Sequence, residues 1–350
     1  MSTADPALNL LLAQLRHTED RVLVIADEHL ANLANPPAHA HLQYISNRVD
    51  VANTLQAHGA RVDLTDFELD RYPANSFCRI VYRISKEKAV VHHIINGAPR
   101  LLTDTGELVL IGHKQEGLNS YSKHAAQRLG GSVSKQRDSG GYTAVSLGNS
   151  DHPGVALDDS DYTSLRQVVA CAPDISLYSK PGIYGWQKLD RGSELMIKVL
   201  GAEIEANRLK LPGAALDLGC GYGYLSAMLA ELGVGTLVAT DNNIAAVHAC
   251  AKNFAHLGIG GSVVADDCAR TIDQRFDLVV CNPPFHQGFD TSHQLTEKFL
   301  HQARAHLLDT GSAWFVVNRF IDIESKARNV FSGVVEVHCE AGFKVLRLAR

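Results

Sequence analysis

From residue 214 onward the chain alternates short apolar runs with longer stretches whose apolar residues recur at helical spacing. Ala214–Leu218, Thr236–Thr240, Ser262–Ala265 and Phe276–Cys281 are predicted as buried strands. Tyr222–Leu232, Ile244–Leu257 and Thr291–Leu307 are predicted as helices, with Gly258 stopping the second and Thr291 capping the third. Ser312–Val317, Val334–Cys339 and Phe343–Leu348 complete the strands. The last two lie so close that they must pair as an antiparallel hairpin. The other strands are mostly apolar, which suits a parallel sheet covered on both faces.

A fainter copy of this rhythm runs through the first half. Asp5 and Pro6 read as the cap and first residue of a helix reaching about Arg16. Val22–Ala26, Ala60–Leu64 and Ile80–Ile84 read as strands, Glu87–Ile95 opens a helix, and Glu107–Ile111 is a strand closed by Gly112. The order matches that around Phe276–Cys281. The first strand, however, runs into Asp27-Glu28-His29, and the region matching residues 282–285 falls near Arg83–Lys86 without a motif. This half is expected to be a duplicated domain that has lost cofactor chemistry; an unrelated α/β domain is the alternative. Pro153, Pro173 and Pro181-Gly182 punctuate the middle. The expected division is a degenerate domain at 1–150, a linker at 151–182 and a catalytic domain at 183–350, and 350 residues suit two domains.

The net charge of −5 argues against a chain that is basic all over. Residues 71–137 nevertheless carry eleven Lys or Arg against four Asp or Glu, a local excess suited to RNA phosphates or to a solvated surface. Seven Cys without a C-x-x-C pair suggest reduced thiols in the cytoplasm. No metal-ligand spacing occurs among seventeen His, so no metal is expected, and His92-His93 and His39/His41 read as surface or RNA-facing. Neither a signal peptide nor a membrane span is expected.

The strand at 214–218 enters Asp217-Leu218-Gly219-Cys220-Gly221-Tyr222-Gly223 and then a helix. Glycines let the backbone approach a ligand, and the helix start offers unpaired N–H groups. The acid two residues before the first glycine separates this turn from most dinucleotide enzymes. Gly219, Cys220, Gly221 and Gly223 would line S-adenosylmethionine, with Asp217 near its amino acid moiety. Asp241, followed by Asn242, ends the second strand where a carboxylate can accept from both ribose hydroxyls. Asp266 and Asp267 end the third strand; Asp267 is favoured for the adenine amine and Asp266 as a turn residue.

Asn282-Pro283-Pro284-Phe285 ends the fourth strand. Two prolines stiffen the loop and remove two donors. The Asn282 oxygen and the Pro283 carbonyl can then accept both hydrogens of an NH₂ group, aiming its lone pair at a sulfonium methyl. Phe285 offers a face to a planar base. The catalytic set is therefore Asn282, Pro283 and Phe285, with Asn282 also beside the cofactor. Cys281 reads as core.

With these motifs the chain resembles the bacterial 16S ribosomal RNA (guanine-N2) methyltransferases of the C type. Asn282-Pro283-Pro284-Phe285-His286, Gly288–Ser292, Pro181-Gly182-Ile183-Tyr184, Leu189-Asp190-Arg191-Gly192-Ser193 and Phe343-Lys344-Val345 carry the likeness over about 175–350. Tyr82, Ser85-Lys86-Glu87-Lys88 and Gly112–Ser120 echo it more loosely. The resemblance implies an α/β chain of two tandem Rossmann-like class I methyltransferase domains, with a mostly parallel seven-stranded sheet and an antiparallel terminal hairpin in the C-terminal domain. It implies methyl transfer to guanine N2 in ribosomal RNA or the small ribosomal subunit, releasing S-adenosylhomocysteine. It implies that the first domain supports RNA, and that 181–193 helps close over the cofactor. The family often has Ser where this chain has Gly185. The chain is expected to be a monomer. Rival readings are a large-subunit enzyme, a protein glutamine methyltransferase, a DNA adenine methyltransferase and a non-catalytic assembly factor.

Overall fold

A computed structural model describes residues 5–16, 20–33, 35–137, 140–172, 175–284 and 289–350. It divides into two units, Met1–Ser164 and Leu165–Arg350.

The first unit contains α1 (Pro6–Gln14), β1 (Val22–Ala26), β2 (Leu42–Ser46), α2 (Val49–Ala57), β3 (Arg61–Leu64), β4 (Phe77–Arg83), α3 (Lys88–Leu101), β5 (Leu102–His113), α4 (Leu118–Leu129), β6 (Val133–Arg137) and β7 (Tyr142–Gly148). Asp5 caps α1 by accepting from the Ala7 N–H at 3.0 Å. The sheet order is β3-β2-β1-β4-β5-β7-β6. Its first five strands are parallel, and β7 is antiparallel to both neighbours. Alternate β1 residues feed opposite cores. Val22, Val24 and Ala26 join α1 and α2, while Leu23 and Ile25 join α3 and α4.

Part of the stretch expected as a linker, 151–182, is bonded to the first unit. Leu157 N–H donates to Asn96 Oδ1 at 2.8 Å, His92 Nδ1 to the Asp158 carbonyl at 2.6 Å, and the Tyr162 hydroxyl to Asp66 at 2.6 Å. Residues 151–164 thus belong to the first unit, and in the second Arg166–Ala172 pairs antiparallel with Ile175–Ser179. His92 and His93 are also reassigned. They point inward, His93 Nε2 bonding the Phe67 carbonyl at 2.9 Å. Arg83, counted with the basic segment, is only 2% exposed. It forks onto Glu116 at 2.6 and 2.9 Å and reaches Asp5 at 2.9 Å. Arg71 and Arg79 pair with Asp63 and Glu107, while Arg100 and Arg128 bind carbonyls. Arg71 and Arg100 are exposed although paired; the other exposed cations of the segment are Lys86, Lys88, Lys114, Lys123, Lys135 and Arg137.

The second unit contains β8 (Arg166–Ala172), β9 (Ile175–Ser179), α5 (Arg191–Glu205), β10 (Ala214–Leu218), α6 (Tyr224–Glu231), β11 (Thr236–Asp241), α7 (Ile244–Leu257), β12 (Gly261–Ala265), β13 (Phe276–Cys281), α8 (Phe289–Ala305), β14 (Leu307–Asn318), α9 (Glu324–Ala327), β15 (Gly333–Glu340) and β16 (Phe343–Ala349). Its main sheet runs β12-β11-β10-β13-β14-β16-β15, the same order as the first. β14–β16 and β15–β16 are antiparallel, as the terminal hairpin required. Residues of α5, α6 and α7 cover one face, and Phe299, Leu300 and Ala303 of α8 cover the other. Helix α6 starts two residues later than expected, because Gly223 at φ +88° cannot continue a right-handed helix. Thr291 falls inside α8 rather than at its cap.

Candidate active site

Strand β10 delivers the chain into a turn that bends back on β11. The N–H groups of Gly219 and Cys220 both donate to the Thr240 carbonyl, at 2.9 and 3.0 Å. Gly219, Gly221 and Gly223 take φ of +81°, +56° and +88°. Their side-chain-free carbons serve different ends. A Cβ on Gly223 would lie 2.6 Å from Cys250 Sγ, and one on Gly219 3.2 Å from Phe299. A Cβ on Gly221 would meet nothing within 4 Å. Two glycines therefore permit packing from within, and the third leaves an open face for a ligand. The Cys220 side chain is buried, so only its backbone can line that face.

The acids at the strand ends divide their work. Asp217 is fully buried, and its Oδ2 accepts from Ser226 N–H at 3.0 Å and Ser226 Oγ at 2.7 Å. It ties β10 to α6, and only Oδ1 lacks a protein partner. Burial pushes its carboxyl up to about 7 against the pull of Ser226, with Asp241 adding repulsion. Asp241 is half-buried; its oxygens accept from Gly221 and Asn243 N–H groups at 2.9 and 2.8 Å. Each oxygen keeps a second lone pair. Asn242 is half-buried beside it. Asp266 accepts from Thr271 N–H and Oγ1, both at 2.7 Å, and so closes a turn. Asp267 pairs with Lys298 from α8 and with Arg270 at 3.4 Å.

Asn282 stands at the end of β13, half-buried, followed by a buried Pro283 and an exposed Pro284. Its Nδ2 donates to Asp190 Oδ1 at 2.7 Å and to Ser193 Oγ at 2.9 Å. An ionised carboxylate only accepts, so the amide NH₂ must face Asp190 and the Asn282 oxygen must face away. Asp190 itself caps α5, taking the Ser193 N–H at 2.8 Å. Phe285, His286, Gln287 and Gly288 lie outside the described residues. A cleft of about 410 Å³ lined by Glu203, Val335, Glu336 and Arg347 follows the β15–β16 edge and includes none of these residues.

Residues 174–347, about half of the chain, match the family model described as the methyltransferase small domain. "Ribosomal RNA small subunit methyltransferase C" of Aeromonas hydrophila is 29% identical over 81% of this chain and 79% of its own length. The protein of the same description from Haemophilus influenzae is 32% identical over 49% of this chain and 50% of its own. Among solved structures, a T. thermophilus "16S rRNA N2 G1207 methyltransferase" in complex with AdoMet and guanosine covers 99% of this chain and 92% of its own. Its TM-score is 0.84 at 24% identity. The chain is thus similar over most of its length to proteins described as ribosomal RNA small subunit methyltransferase C, and it shares the fold of the T. thermophilus structure.

Several residues that build the site carry no obvious motif. Asp190 and Ser193 lie in a stretch expected to close over the cofactor, yet they orient Asn282. The readable signal was a cap residue ahead of an amphipathic helix. Asn253, buried on α7, donates to the carbonyls of Tyr222 at 2.7 Å and Tyr178 at 2.9 Å, pinning the glycine turn to β9. A polar residue on a helix's buried face was its only trace. Asn243 caps α7 and donates to the Gly182 carbonyl at 2.8 Å. Gly185, where the family often has Ser, takes φ +66°, and a Cβ there would meet only the Lys188 carbonyl, at 3.7 Å. Backbone conformation, not lack of room, favours glycine there.

Proposed function

We propose that the chain transfers the methyl group of S-adenosylmethionine to the exocyclic N2 of one guanosine in 16S ribosomal RNA. The position is the one numbered 1207 in the description of its T. thermophilus relative. The orientation of Asn282 carries this reading, since Asp190 and Ser193 occupy its NH₂ and leave an oxygen for a substrate amine.

The site suits the cofactor on three counts: the open face at Gly221, the half-buried Asp241, and the unpartnered Oδ1 of Asp217. The Gly219-Cys220-Gly221-Tyr222-Gly223 backbone holds it from below. Asp241, next to Asn242, accepts from the ribose hydroxyls, and Asp217 Oδ1 serves the amino acid moiety. Asp267 accepts from the adenine amine with a lone pair that Lys298 and Arg270 leave over, while Asp266 keeps the turn. When bound, S-adenosylmethionine supplies a methyl made electrophilic by its sulfonium. Asn282 Oδ1 and the Pro283 carbonyl accept the two amine hydrogens and aim the nitrogen lone pair. The amine turns acidic as its nitrogen is alkylated, so no strong base is required of the protein. Phe285 stacks on a guanine flipped out at a cost of a few kcal/mol.

Lys86, Lys88, Lys114 and Arg137 are read as phosphate contacts of the first unit. Arg83 pairs across the sheet with Ile111, and Arg137 and Gly112 share Thr143 as partner, so these cations follow neighbouring strand ends. The partner is small-subunit ribosomal RNA. The reading takes the chain as a cytoplasmic monomer, since one chain already carries both sheets and all seven Cys are unpaired. Among the described residues no helix is long and apolar enough to cross a membrane, and no group of three His, Cys, Asp or Glu could hold a metal.

A labelled-methyl assay with total RNA, isolated ribosomal subunits and protein tests the proposal. Label is expected on a guanine N2 of 16S RNA. Label on protein glutamine or on DNA, or no label at all, would overturn it.

A further inference from the structure

Resting on the RNA reading above, we propose that Arg319 and Phe320 form a stacking platform for the nucleobase next to the methylated guanosine. Among the described residues only two aromatic side chains are strongly exposed, Tyr184 at 69% and Phe320 at 79%. Both flank the Asn282 corner. Tyr184 lies close enough to Asp190 for that carboxylate, after burial, to help raise its hydroxyl's pKa. Phe320 follows β14, the strand paired with β13 on the side away from β10, with Cys281 opposite Phe315.

A short chain of contacts ties the Phe320 turn to Asn282. Asn318 pairs with Phe343 across β14 and β16. A Cβ added at Gly192 would lie 3.1 Å from Phe343 Cδ1 and 3.1 Å from Asp190 Oδ1, the atom that holds Asn282. The turn is anchored at each end. Arg319 N–H donates to the Gly342 carbonyl at 2.9 Å, Phe320 N–H to Asn318 Oδ1 at 3.1 Å, and Ile323 beyond it is fully buried. Its ring is therefore presented on a fixed base, with the loss of side-chain entropy on binding limited to two torsions.

The guanidinium of Arg319 sits over the Phe320 ring, 4.6 Å from its centroid. An aromatic face beside an exposed cation suits a base with its phosphate, because the ring takes the flat surface and the cation the charge. A guanosine flipped into the Asn282 corner leaves its neighbour without a stacking partner, and Phe320 supplies a replacement. A docked protein would use the same apolar ring, but the cation and the place beside a nucleobase site favour RNA.

The test is a double-mutant cycle on the full-length protein. One change is Phe320→Ala; the other is an abasic nucleotide beside the target guanosine in a 16S-derived RNA. Either change alone is expected to weaken RNA affinity about ten-fold, and the two together no more than either alone. Phe320→Trp should keep the affinity, and S-adenosylmethionine binding should be unchanged throughout. Additive losses with abasic positions on both sides, or unchanged affinity in Phe320→Ala, would overturn the platform. So would an effect confined to assembled subunits and independent of the abasic change, which would point to a protein contact. If the unaltered protein methylates no RNA, the functional reading fails instead, and separately.

Discussion

The two sheets share one strand order, yet their carboxyl edges are built from different chemistry. After β10 the second unit inserts three left-handed glycines and opens a face at Gly221. After β1 the first unit inserts Asp27, which accepts from His29 N–H and Nδ1 at 3.0 and 2.9 Å and starts a short 3-10 helix over Glu28–Asn32. After β13 comes Asn282, its oxygen turned outward by Asp190. At the matching end of β4, Ser85 is buried, its N–H given to the Tyr82 hydroxyl at 3.2 Å and its Oγ taken by Glu87 N–H at 2.9 Å. Arg83 and Glu116 then lock the first edge with an ion pair. Alternating apolar strands are enough to specify this sheet. On the proposed function, catalytic capacity rests on a few positions where the backbone is left-handed or an acceptor faces outward.

The largest effect expected is at Asn282. Asn282→Ala should lower kcat for methyl transfer by about 10²–10³-fold while calorimetry shows S-adenosylmethionine affinity unchanged. Ser85→Ala, one residue past the place that matches Asn282, should leave transfer intact, and an equal loss there would erase the contrast. Next, Arg83→Met leaves Glu116 and Asp5 without their cation and should destabilise the first unit by about 3 kcal/mol in urea unfolding. Gly223→Ala should cost about 2 kcal/mol, since it adds a clash with Cys250 to left-handed strain. Gly59→Ala, at φ +79° with nothing within 4 Å of its Cβ, should cost only about 1 kcal/mol. Equal losses at the two glycines would remove packing as the reason for Gly223.

Charge changes should do less to stability and more to binding. Lys86→Glu with Lys114→Glu should leave the unfolding midpoint in place, weaken RNA about ten-fold and flatten the salt dependence. The effect spread over the widest range of conditions is a pH slope. Asp217 titrates near 7 when folded and near the ordinary 3.8 when unfolded, so the folded state holds its proton longer. Stability from this group is complete below about pH 4 and is lost as pH rises through 7. Urea midpoints across that window should fall less in Asp217→Asn than in the parent. A slope that is unchanged in the variant would assign it to other groups.

The second unit was readable because its central strands are mostly apolar and its punctuation is glycine and proline. Ala214–Leu218 and Phe276–Cys281 match the observed strands residue for residue. The first unit was harder. β2 follows Pro36-Pro37 and a His-rich stretch, and β6 is exposed along its whole length, so neither shows a hydrophobic period. Prolines near 153–181 suggested a linker, but hydrogen bonds from Asn96 and His92, distant in sequence, hold part of that stretch to α3. The same limit applies at the site. Charge counting could not separate Arg83, which is internal, from Lys86, which is exposed. Nor could spacing reveal that Asp190, 92 residues before Asn282, sets the direction of its amide.

Cofactor stoichiometry on the full-length chain tests the division most directly. Calorimetric titration with S-adenosylmethionine should give one site per chain, and Gly221→Val, which fills the open face of the second edge, should remove it without unfolding the protein. Two sites, or one site that persists in the folded Gly221→Val variant, would contradict a cofactor chemistry confined to the second sheet.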